Sequence, residues 1–169
     1  MRRVALAALA SLLATCELDP VHDEAVADLG SEAPGVRPGP LHRPGQPCLV
    51  CHDGAVANPA MSVGGTIYAA YGLSSPLAGA SVTLTAENGS TYTATTNAAG
   101  NFYITARAWQ PVYPLRVTVG LGALTAVMTT IIGRDGSCAS CHVDPQSRIS
   151  AGRVYLAPSA SFLPDGGLN

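Results

Sequence analysis

The chain has 169 residues, a net charge of −2, five cysteines and four histidines, and it is 47% hydrophobic with only 5% aromatic residues. A near-neutral balance, with no basic run interleaved with aromatics, excludes the usual nucleic-acid-binding surface, and no apolar stretch reaches the about 20 residues of a membrane-spanning helix. The length suits one domain of modest size, and so few aromatics leave the polypeptide short of large side chains for its core.

Arg2 and Arg3 form a basic start and residues 4–13 an apolar run, the order of an export leader;. Leu13-Ala14-Thr15-Cys16 resembles the lipobox of bacterial lipoproteins, with Thr15 where Gly, Ala or Ser is usual. The resemblance implies removal of residues 1–15 as a signal peptide and lipidation of Cys16, which would anchor the mature chain to a membrane. An ordinary secretory signal cut a little further on is the alternative, and either exports the chain. Residues 16–45 have no sustained period and are rich in Pro, Gly and acidic side chains, among them Pro34, Pro38, Pro40 and Pro44. That composition predicts a flexible tether, ordered only where its last residues meet the folded part.

Residues 46–60 contain Cys48-Leu49-Val50-Cys51-His52. From residue 61 to 132 the pattern becomes short β-branched and aromatic runs divided by turn residues, which predicts a mainly β chain folded as one β-sandwich. Strands are expected at 65–69, 81–86, 91–95, 102–106, 115–119 and 124–132, with a last short one at 153–156. Asn88-Gly89 is expected to supply the positive φ angles of a tight hairpin turn between the second and third. Residues 133–169 hold the second copy of the cysteine motif, Cys138-Ala139-Ser140-Cys141-His142, and a tail. Loops or short helices around the two copies are expected to flank the sandwich. Beyond the shared motif the two segments do not align as a repeat.

The runs Gly65-Thr66-Ile67-Tyr68, Pro76-Leu77-Ala78-Gly79-Ala80-Ser81-Val82-Thr83-Leu84 and Thr96-Asn97-Ala98-Ala99-Gly100-Asn101-Phe102-Tyr103-Ile104 resemble the carboxypeptidase regulatory-like domain, a transthyretin-like β-sandwich. In that family the third run usually reads Thr-Asp-x-x-Gly-x-Phe, and here Asn97 takes the Asp place. The likeness covers about a third of the chain and implies fold, not peptidase chemistry.

Both C-x-x-C-H motifs match the attachment signature of c-type haem. Two thiols at that spacing reach the two vinyl groups of one porphyrin, and the adjoining imidazole is then held over the iron. The chain thus resembles a dihaem c-type cytochrome. Its two covalent haems would be attached through Cys48, Cys51, Cys138 and Cys141, with His52 and His142 as proximal ligands. A single four-cysteine zinc site and a pair of short disulfides are the competing readings, and neither uses the histidines. The opposite axial position of each iron must come from His22, His42, Met61 or Met128. His42, six residues before Cys48, is the first candidate. Met128, on an apolar run, is a weaker one better explained by packing; His22 suits a solvated linker and Met61 a core position. Arg43, Arg107, Arg134, Arg148 and Arg153 are candidate partners for haem propionates.

The expected function is electron relay at the bacterial cell envelope, not catalysis. The expected place is periplasmic, outer-membrane or cell-surface, and the expected partners are envelope redox proteins, the membrane through the lipid, and further copies of the chain by self-assembly. A small haem enzyme or gas-binding protein with one open iron, and a metal- or disulfide-stabilised binding module, are the alternatives.

Overall fold

A computed structural model describes residues 19–32 and 35–163. The leader and Cys16 lie outside the described residues. The chain divides into two compact units, Met1–Ser31 and Glu32–Asn169.

In the first unit, helix α1 (Pro20–Asp28) falls inside the stretch that composition assigns to a tether. Its start is local chemistry: the Asp19 side chain accepts the His22 backbone N–H at 3.0 Å, and Pro20 occupies the first helical turn, where a missing N–H costs nothing;. None of its residues is buried, so no apolar period announces it;.

The second unit is mainly β, with two sheets face to face. One has the strand order β4-β1-β7 and the other β3-β2-β5-β6. The strands are β1 (Met61–Ala70), β2 (Ser81–Ala86), β3 (Thr91–Thr95), β4 (Asn101–Thr105), β5 (Leu115–Leu121), β6 (Leu124–Val127) and β7 (Val154–Ala157). β1 is the centre of its sheet, antiparallel to β4 and parallel to β7. In β2 the hydroxyls of Ser81, Thr83 and Thr85 face outward while Val82, Leu84 and Ala86 are buried, the period-two pattern of a half-covered strand;. Phe102, Ile67 and Ile104 from one sheet meet Leu84, Val82 and Leu115 from the other to form the core.

The hairpin between β2 and β3 forms with Thr85 opposite Thr91, but its turn differs from the expected one. Only Gly89 has positive φ, at +80°, so the connection is a three-residue loop closed by a left-handed glycine;. The Asn88 side chain instead accepts the Ser90 N–H at 3.1 Å. The apolar run at 124–132 is a strand only to Val127; it then leaves the ladder, and Ile132 returns to exchange both backbone hydrogen bonds with Leu115 at 2.9 Å. Among the described residues, no helix is long and apolar enough to cross a membrane.

Leu84 is fully buried between the sheets. Leu84→Ala is expected to lower unfolding free energy by about 2–5 kcal/mol, read from urea titration, through lost apolar transfer and the cavity left behind. A loss below about 1 kcal/mol would mean that this position is not in a close-packed core.

Candidate functional site

Each C-x-x-C-H motif is a single helical turn. The first forms α2 (Cys48–Cys51), with the His52 N–H donating to the Cys48 carbonyl at 3.0 Å. The second is a tighter turn over Cys138–Ser140, and the His142 N–H donates to the Cys138 carbonyl at 2.9 Å. After each turn the chain loops back on itself. His52 Nδ1 lies 2.9 Å from the Pro59 carbonyl oxygen, and His142 Nδ1 lies 2.8 Å from that of Gly152. A backbone carbonyl can only accept, so Nδ1 donates in both rings, and the neutral ring would keep its lone pair on Nε2. A metal-ligating histidine is prepared in this way, its ring oriented and its tautomer fixed by a second partner. The loops that return these carbonyls differ in length and sequence, so the shared geometry is invisible to alignment.

His42 lies beside the first motif, its ring centroid 5.8 Å from that of His52. Two imidazoles sharing one metal at bonds of about 2 Å would hold their centroids roughly 6 Å apart. His42 Nδ1 is 2.9 Å from Glu32 Oε1, a close contact without the alignment of a hydrogen bond. The chain reaches this position through a turn in which Arg43 adopts φ +49°, a left-handed conformation uncommon outside glycine;. Side chains of the sandwich fasten the turn. Gly45 N–H donates to Thr66 Oγ1 at 2.7 Å, and Asn101 Nδ2 donates to the His42 carbonyl at 2.9 Å. Asn97 Nδ2 donates to the Pro40 carbonyl at 2.6 Å. An aspartate at 97 could close the local turn but could not make this last bond, which gives Asn97 a physical reason. Neither asparagine was singled out for this role by sequence, because their partners lie 57–61 residues away.

The second motif opens on a different environment. A cavity of about 1040 Å³ lies beside the core, with Ile67, Phe102, Val117 and Ile132 on its apolar walls and Cys138, Cys141 and His142 along its lining. That volume is at the top of the ~300–1,000 Å³ range of small-molecule and cofactor sites. Met128 lines the same cavity, half-buried against the core, as do Arg134 and Arg153. Ser137 is buried and lines it too, yet its hydroxyl has no hydrogen-bond partner among the described residues. A buried polar atom left in this way is costly unless something else meets it. Arg153 is engaged on its other sides, 3.1 Å from Asp144 Oδ2 and stacked over Tyr68.

The remaining candidates are placed elsewhere. His22 belongs to α1 in the first unit. Met61 begins β1, half-buried, with its backbone N–H donating to the His52 carbonyl at 2.8 Å. Arg107 and Arg148 are exposed.

The four thiols are free. Burial raises Cys138 to about 12, with Cys48 and Asp135 adding to the rise, and burial likewise raises Cys48. Among the described residues no group of three or more His, Cys, Asp or Glu side chains is arranged to hold a metal ion. Cys48 and Cys138 in particular pack against neighbouring residues of β1, Gly64 and Gly65, whose Cβ directions are opposite;. Two thiols on opposite faces of a strand cannot share one tetrahedral metal. The residues are of the kind that would hold a porphyrin at each motif: paired thiols on one turn, an imidazole oriented through Nδ1, a second imidazole beside the first motif, and an apolar cavity at the second. Compared with known protein families, curated proteins and solved structures, the chain matches none.

Proposed function

We propose that the protein is an exported dihaem c-type cytochrome that relays electrons at the cell envelope, with the sandwich as its scaffold. The observation that carries this reading is the pair of Nδ1 contacts to backbone carbonyls, which prepare His52 and His142 alike as ligands;. Cys48 and Cys51 would hold one haem, and Cys138 and Cys141 the other. His42 would be a second ligand beside His52, and Met128, which lines the cavity with His142, would be the candidate at the other motif. A haem iron supplies a one-electron couple. This chain's own part would be to orient the two histidines through their backbone partners, to offer apolar walls at the second site, and to supply charge there through Arg134. The sequence runs within the sandwich that resemble a carboxypeptidase regulatory-like domain fit a scaffold role, and the leader with Cys16 supports export and a lipid anchor.

Reductive titration of the purified protein tests the relay. It is expected to take up two electrons per chain, with no rapid binding of carbon monoxide by the reduced form. Rapid binding at one haem together with peroxide turnover would favour the enzyme or gas-binding reading instead. Glu32 provides a finer check, because a carboxylate beside a ligand's second nitrogen raises that ligand's basicity and favours the ferric state. Removing that charge with Glu32→Gln is expected to raise one midpoint potential. Potentiometry showing both potentials unmoved would remove Glu32 from this role.

A further inference from the structure

Resting on the dihaem reading, we propose that β1 couples the two haems by holding the first attachment cysteine of each motif against opposite faces of a single strand. Gly64 and Gly65 are adjacent and fully inside β1, where glycine weakens a strand by entropy and by lost packing;. Neither has positive φ, so backbone freedom is not the reason for them. Close approach is. A Cβ on Gly64 would lie 3.2 Å from Cys48 Cβ and 3.3 Å from its Sγ. A Cβ on Gly65 would lie 2.7 Å from both Cβ and Sγ of Cys138, closer than real Cβ atoms come. Successive residues of a strand face opposite ways, so one cysteine sits on each side. The second motif is pinned there by the Gly64 N–H, which donates to the Gly136 carbonyl at 3.0 Å, and a side chain at Gly136 would collide with the Ser62 carbonyl.

With the two α-carbons about 3.8 Å apart, these contacts place the two sulfurs within roughly 13 Å of each other. Each sulfur is the point where its porphyrin would be joined to the chain. The thioether-bearing edges of the two rings are thereby brought to either side of one strand's thickness. The chemistry that two haems held here would supply is the passage of a single electron between them, one being oxidised as the other is reduced. No bond is made or broken and no proton moves. Two porphyrins joined at points so close would feel each other's charge, and the chain would act as an interacting pair and not as two independent carriers.

The test compares the full chain with two single-haem variants, C48A/C51A and C138A/C141A. Circular dichroism in the Soret region of the wild type is expected to show a two-signed couplet absent from the sum of the variants. Its midpoint potentials are expected to be shifted from theirs. Gly65→Ala, which must push Cys138 away, is expected to lose at least half of the couplet while both haems stay attached. Two haems with strictly additive spectra and unshifted potentials would overturn the coupling alone, and so would an unchanged couplet in Gly65→Ala. A wild type without porphyrin would overturn the dihaem reading with it.

Discussion

Replacing Cys138 and Cys141 together with alanine is expected to halve the covalent haem content and to lower the stability of the sandwich. Replacing Cys48 and Cys51 is expected to halve the content with a smaller loss of stability. The asymmetry follows from where the motifs sit. The second lines a cavity of about 1040 Å³ bounded by core residues such as Phe102 and Val117, and an emptied apolar cavity forfeits the contacts of its walls;. The first is built on the other side of β1, beside a turn held by hydrogen bonds from Thr66, Asn97 and Asn101. Haem staining after denaturing electrophoresis reads the content, and thermal unfolding of each variant reads the stability. Equal losses of melting temperature would place the second haem outside the sandwich.

His42→Ala is expected to turn one of the two haems from low-spin to high-spin, so that half of the reduced haem binds carbon monoxide. The 5.8 Å separation of the His42 and His52 rings leaves room for one metal between them, and alanine vacates one side. His22→Ala, in α1, is expected to leave both spectra unchanged. Met128→Ala is expected to act on the other haem, removing a sulfur-to-iron absorption band and lowering that haem's potential. If His42→Ala leaves the spin state of both haems as in the wild type, His42 is not a ligand.

Local chemistry made much of this legible from residues alone. The two motifs, the alternating hydroxyl and apolar side chains of β2, and the glycine after Asn88 each act within a few residues of themselves, so periods and turn rules reach them. The nearness of His42 to the first motif follows from its place six residues before Cys48. What lay out of reach depends on distant backbone. The carbonyls of Pro59 and Gly152 that orient His52 and His142 have no side-chain signature, and Asn101 meets His42 only because β4 lies beside β1. The run at 124–132 was too uniform to show where the strand ends, since β-branching continues through Thr129 and Ile131 after the ladder has stopped;. Helix α1 was signalled by Asp19-Pro20, a capping pair outweighed by the polarity around it;. The adjacent glycines of β1 fit the usual reading of glycine in a strand as a place of close approach, but what approaches them is a matter of tertiary structure;.

The intact mass of the full chain bears most directly on the central claim. The protein would be produced in a host with c-type maturation, purified, and denatured before measurement. Two porphyrin masses retained on the unfolded polypeptide, one lost in each double-cysteine variant, is the predicted result. A polypeptide of bare mass, or one whose porphyrin is released on unfolding, would contradict it.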